Sequence, residues 1–112
     1  MSVEIKTDKD VMTAFLSGEI DHHVAPSIRE KTDAAAVSSH PQKVVLDFSG
    51  VTFMDSSGIG LVMGRYKLCE SMGASLEIHG LSGHAYKVMC LAGLQKLAVL
   101  KKKKEVKNSE TA

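Results

Sequence analysis

The stretch Val44 to Gly64, VVLDFSGVTFMDSSGIGLVMG, constrains this chain more than any other. Val44 to Phe48 is a short run of branched and aromatic apolar residues, a pattern suited to a strand buried on both faces of a sheet. The ribbon then has to turn at Asp55-Ser56-Ser57-Gly58. From there Ile59, Val62, Met63, Tyr66 and Cys69 recur at helical spacing. A strand therefore delivers a carboxylate and two adjacent serines to a helix N-terminus, where free backbone N–H groups and the positive end of the helix dipole gather.

The rest of the chain falls into place around this unit. Val3 and Ile5 alternate with charged residues, Thr7 to Asp10 supply a turn, and Val11 to Leu16 form a second strand, so a hairpin opens the chain. Pro26, whose missing N–H is harmless in a first turn, announces a helix with Val24, Ile28, Thr32, Ala35 and Ala36 on one face, ending near residues 38–41. The helix after the serine turn stops at Gly73. Ser75 to His79 reads as a strand. Ser82 caps a further helix carrying Ala85, Val88, Met89 and Ala92, Gly93 stops it, and Leu97 to Leu100 make a last strand. The order is β-β-α-β-α-β-α-β. Strands separated by helices run parallel through right-handed crossovers, which gives an α/β fold with a mixed, mostly parallel sheet covered by helices.

The chain has 112 residues, one domain's length, with 44% hydrophobic and 24% charged residues, enough for a core without staples. Cys69 and Cys90 lie in apolar helical patterns without CxxC spacing and read as free thiols of a reducing cytoplasm. No apolar run is long enough to span a bilayer, and no signal-type segment leads the chain, so neither membrane nor export is expected. Residues 1–100 hold nine Lys/Arg against eleven Asp/Glu, and residues 101–112 five against two. A mildly acidic body with 4% aromatic residues and no Trp is a poor match for nucleic acid, which needs a basic face and stacking rings. The lysine run from Lys101 reads as the start of a solvated tail spanning 101–112, after a domain of residues 1–100.

Capping alone accounts for one polar residue at the serine turn. It leaves Gly58, Gly60 and Gly64 unexplained, since each costs a helix about 1 kcal/mol relative to alanine; their presence implies a close approach to this turn. A hydrolase elbow needs glycine two residues before the serine, where Met54 stands. A dinucleotide loop needs its third glycine where Met63 stands, and no P-loop motif is present. A phosphate on Ser56 fits the helix N-terminus but would set its charge beside Asp55 and amid any contact made by Ile59, so it would act as an off-switch. The histidines give no metal site: His22 and His23 are adjacent and expected to diverge, and His79 and His84 lack a nearby carboxylate pair or cysteine. Met54 and Met63 read as filler near a docking face.

Phe53-Met54-Asp55-Ser56-Ser57-Gly58-Ile59-Gly60, followed by Gly64-Arg65-Tyr66-Lys67, resembles the anti-sigma factor antagonists of the STAS domain class. Gly18 to His23 and the helix from Met89 ending in Gly93-Leu94-Gln95-Lys96 are similar to the same family, so the likeness spans about Val11 to Leu100. The resemblance implies a single STAS-like domain that is a regulatory partner rather than an enzyme, without cofactor, binding an anti-sigma factor that is also a serine kinase and thereby freeing a sigma factor in a sporulation or stress circuit. It implies phosphorylation at Ser56 as the off-switch and a phosphatase that reverses it. It places the partner surface on Asp55, Ser57, Gly58, Ile59, Gly60 and Met63, with Asp21, His22 and His23 on the neighbouring rim. The family closes with a further helix after its last strand, where this chain runs into lysines. A STAS-type sensor holding a small ligand or nucleotide at the same helix N-terminus is the alternative.

Overall fold

The structure, a computed structural model, describes residues 2–103. Its elements are β1 (Ser2–Asp8), β2 (Val11–Ile20), α1 (Ala25–Ser39), β3 (Lys43–Met54), α2 (Ser57–Met72), β4 (Ser75–Leu81), α3 (Gly83–Leu91), a 3-10 turn (Leu94–Lys96) and β5 (Val99–Lys102). The five strands lie side by side in chain order, β1 antiparallel to β2 and every later pair parallel. The expected element order and mixed sheet are therefore present.

A sheet whose strands step steadily in one direction through right-handed crossovers carries all its helices on one face. Burial follows that rule. Met12, Ala14 and Leu16 on β2, Val44, Leu46 and Phe48 on β3, and Leu76 and Ile78 on β4 join the core with Ile28, Leu61, Val62 and Met89 from the helices. Residues of the opposite parity, Thr13, Asp47, Glu77 and His79, stay half-buried, and Phe15 is exposed. The helical cover is thus one-sided, and β3 does not have the two-sided apolar burial its run of valines suggests. Val45 is the exception, buried on the bare face yet outside the helix-packed core. On that face Glu77 binds Lys43 at 3.1 Å, His79 at 2.8 Å and Lys101 at 3.5 Å.

Several boundaries differ from the sequence reading because hydrogen-bonded partners extend or displace them. β2 runs on to Ile20 and β3 to Met54, since the two pair with each other as far as Ile20 opposite Met54. β5 starts two residues later than expected, because the 3-10 turn uses Leu94 to Lys96 and Ala98 N–H bonds back to Leu94 C=O at 3.0 Å. The first two lysines of the run, Lys101 and Lys102, therefore belong to a strand, while residues 104–112 lie outside the described part. The buried stripe of α2 is Gly58, Leu61, Val62, Arg65 and Cys69. Ile59 and Tyr66 are only half-buried and Met63 is exposed, because α2 lies on the sheet beside α1 and turns these residues away from the stripe that packs on β3, β4 and α1. Both cysteines are free, Cys69 buried and Cys90 partly so. Among the described residues no helix is long and apolar enough to cross a membrane.

Candidate functional site

The parallel strands β2 and β3 end together. Asp55 N–H donates to Ile20 C=O at 3.1 Å, so the loop after β2 and the serine turn after β3 are tied at their roots. Each turn is built by an aspartate. Asp21 Oδ1 accepts from the amides of His23 at 2.9 Å and Val24 at 3.2 Å, which shapes the entry to α1 where Val24 has no capping side chain. Asp55 Oδ1 accepts from the Ser57 amide at 2.8 Å and from the Ser57 hydroxyl. These short polar side chains replace the missing intrahelical acceptors of a first turn.

The two serines consequently differ. Ser57 is half-buried and its hydroxyl is held by Asp55. Ser56 is the N-cap residue of α2, exposed, and makes no capping hydrogen bond with its side chain. Its backbone, at φ −63° and ψ −16°, is already helical, whereas an N-cap serine that bonds the N2 or N3 amide usually sits in the extended region. The Ser56 hydroxyl is thus left without a capping role on an exposed residue at the start of a helix.

Donation from the Ser57 hydroxyl and amide holds the Asp55 carboxyl below its usual range, with His22 as a smaller contributor. Asp55 is therefore ionised next to Ser56, and a carboxylate of lowered pKa is a weak general base. The site offers a hydroxyl, a fixed negative charge and a helix dipole.

The glycines separate into two kinds. A Cβ on Gly58 would lie 2.3 Å from Met54 Cγ, so this buried residue is small because β3 and α2 meet there. A Cβ on Gly60 or Gly64 would meet nothing within 4 Å. No contact inside the molecule requires those two to be glycine. They form the open side of a shallow groove of about 330 Å3 between α1 and α2, walled by Ala25 and Pro26 and reaching His22 and Arg29.

Of the residues singled out from sequence, Asp21, His22, His23, Asp55, Ser56, Ser57, Gly58, Ile59 and Gly60 lie at this one end of the sheet, and Met63, 39% exposed, continues along α2. The rings of His22 and His23 do not diverge as adjacent side chains were expected to; their centroids are 4.1 Å apart. His79 is remote, on the bare face of the sheet, bonded to the Glu77 carboxylate, while His84 is exposed at the start of α3.

The sequence reading missed the ion pair beneath the groove. Arg65 is buried, with Nε 2.6 Å from Asp33 Oδ1 and a terminal nitrogen 3.1 Å from Asp33 Oδ2, so it joins α2 to α1. Burial pushes the guanidinium pKa down and Asp33 pulls it back up. The signal lay in the spacing: Arg65 falls midway between Leu61 and Cys69, on the stripe that a helix buries.

Comparison with known proteins agrees with this geometry. The model of the STAS domain matches residues 2–109. The chain is 31% identical over 97 residues to an anti-sigma F factor antagonist of Paenibacillus polymyxa, covering 87% of this chain and 83% of that one. Among solved structures it is similar to the anti-sigma factor antagonist SpoIIAA in its unphosphorylated form, with 28% identity, a TM-score of 0.76 and coverage of 88% and 87%. It is also similar to the Bacillus cell fate determinant SpoIIAA in the phosphorylated form, with 28% identity, a TM-score of 0.71 and coverage of 88% and 90%. A strand-to-helix serine turn, a mostly parallel sheet with one-sided helices and a family match over nearly the whole length converge on one conclusion: this chain belongs to the STAS domain family.

Proposed function

We propose that this protein is an anti-sigma factor antagonist, a regulatory binding protein rather than an enzyme, that engages an anti-sigma factor through the end of the sheet bearing Ser56. The anti-sigma factor is the serine kinase that modifies it. In the unmodified state the partner rests on the exposed start of α2, with Gly60, Met63 and the groove along α1 beneath it and the Asp21-His22-His23 loop at its rim. Transfer of a phosphoryl group to Ser56 Oγ ends the association, and a phosphatase restores it. The observation that carries this reading is the contrast between the two serines: Ser56 is exposed and free of capping duty, while the hydroxyl of Ser57 is committed to Asp55.

The electrostatics support an off-switch. A phosphoserine carries about −1.5 to −2 charge at neutral pH. The dipole of α2 favours it locally, yet it stands beside an ionised Asp55 and in the centre of a surface that a partner has to desolvate. Burying such a charge without a counter-ion weakens association by several kcal/mol.

Incubation with the cognate anti-sigma kinase and ATP should add about 80 Da, one phosphoryl group, at Ser56 and nowhere else. Ser56→Ala should abolish the mass increase and keep the partner's affinity, while Ser56→Asp should weaken binding by about thirty-fold or more, roughly 2 kcal/mol. Modification at Ser57 in place of Ser56, or equal affinities for the alanine and aspartate variants in calorimetry, would refute the proposal.

A further inference from the structure

β3 outlasts one of its neighbours. Its register with β4 ends at Asp47 opposite His79, whereas its register with β2 continues to Met54. Among the described residues, no strand pairs with the other edge of β3 beyond Asp47. The departure of β4 has a visible cause. Gly80 has φ +73°, and a Cβ there would lie 2.2 Å from Ser49 Oγ and 2.7 Å from Ser49 N, so β4 bends away at a point where only glycine fits.

The ladder is closed at that fork by side chains. Ser49 N–H donates to Asp47 Oδ1 at 2.8 Å, and Ser49 C=O accepts from Lys103 Nζ at 3.1 Å. Past Ser49 the strand goes on for five residues to Met54, paired among the described residues with β2 alone. An extended chain turns alternate N–H and C=O groups to each side, so this segment offers backbone donors and acceptors along its free edge.

Beside that edge runs a cleft of about 260 Å3, open between β3 and the first turn of α3. Phe48, Val51, Met54 and Ala85 contribute its apolar walls, and Ser82 and His84 stand on the α3 side. Phe53, also at the cleft, is 54% exposed. A small apolar molecule would fill the cleft but leave the backbone groups of β3 unanswered. An extended main chain answers both features, pairing with the edge while its alternate side chains point into the cleft.

We infer that residues 50–54 and this cleft form a docking site for an extended peptide segment of a partner protein, which adds to β3 as a strand and seats a Leu- or Ile-sized side chain against Phe48 and Ala85. The inference stands apart from the phosphorylation reading. The two surfaces are nevertheless contiguous, because β3 leads directly into Asp55 and Ser56, so a protein held by such a segment is positioned over the serine turn.

The test is a 15N-HSQC titration of the full chain with the blocked peptide acetyl-Thr-Leu-Thr-Leu-Thr-amide, together with two analogues, one methylated on the leucine nitrogens and the other on the threonine nitrogens. Saturable shifts and slowed amide exchange are expected at residues 50–54 and at the start of α3. A strand bonds through one of its two edges, so one analogue should bind at least about ten-fold more weakly while the other stays close to the parent peptide. Absence of shifts at residues 50–54 at millimolar peptide overturns the inference. So does equal binding of all three peptides, which would make the cleft an apolar small-molecule site. Dilution-dependent shifts of the same amides without peptide would assign the edge to a second copy of the chain and overturn it as well. None of these readouts requires Ser56 to be phosphorylated.

Discussion

Ser56 and Ser82 stand in the same place in the fold, each the N-cap of a helix that follows a parallel strand, and their hydroxyls do opposite things. Ser82 is extended, at φ −62° and ψ 162°, and its Oγ accepts from the Ala85 amide at 3.1 Å. Ser56 is already helical and its hydroxyl is not used for capping. The difference arises one residue upstream. Asp55 takes over the work of satisfying the first turn of α2, and α3 has no acidic residue in the corresponding position, where Leu81 stands. One serine hydroxyl is thereby structural and the other has no capping role.

The comparison can be broken most forcefully by obstructing the surface beside Ser56. Gly60→Leu introduces a side chain where the molecule itself has empty space, so the fold should tolerate it and even gain from removing a helical glycine. At a fitted interface the same side chain is overpacking, and affinity for the anti-sigma partner should fall by about thirty-fold, roughly 2 kcal/mol. Calorimetry against the partner and thermal unfolding of the free variant would check the two halves separately. Unchanged affinity would move the partner surface away from α2.

A smaller effect separates the serines by stability alone. Ser82→Ala should destabilise the fold by about 1 kcal/mol, the usual loss of a serine cap, and lower Tm by roughly 4 °C. Ser56→Ala, with no capping bond to lose, should stay within about 0.5 kcal/mol. Thermal denaturation of the two variants under one set of conditions decides it, and equal losses would mean that Ser56 also caps its helix in solution.

The smallest expected effect lies on the bare sheet face and touches neither turn. His79, then Lys43 and Lys101, hold the Glu77 carboxyl down to about 2. Its folded pKa lies below the ordinary 4.5, so its contribution is complete above about pH 4.5 and is lost as pH falls toward 2. Glu77→Gln should cost up to about 1 kcal/mol at neutral pH, as expected of a partly exposed ion cluster, and should flatten the acid side of the stability profile. An acid limb identical to that of the parent protein would contradict this assignment.

The starts and stops of helices were readable because they depend on neighbours in sequence. Pro26 opens α1, Gly73 ends α2 at φ +73°, and Ser82 caps α3 through a bond to a residue three places on. The serine turn was readable for the same reason, as an apolar run giving way to helical spacing across four polar or small residues. What was misread depends on partners distant in the chain. The extra length of β2 and β3 exists because they pair with each other, and the late start of β5 follows from a 3-10 turn that repetitive spacing does not announce. The pairing of Arg65 with Asp33 joins residues 32 positions apart, which linear spacing does not announce.

Local pattern thus determined the order of strands and helices, the mixed sheet, and the location of a polar turn flanked by unexplained glycines, because hydrophobic period and turn chemistry act over a few residues. Tertiary structure alone decided that the helices cover one face, that Arg65 pairs with Asp33 across α1 and α2, and that Gly60 and Gly64 border open space. Those outcomes depend on where β2, β3 and α1 meet in space, and the distances that set them have no counterpart in linear spacing.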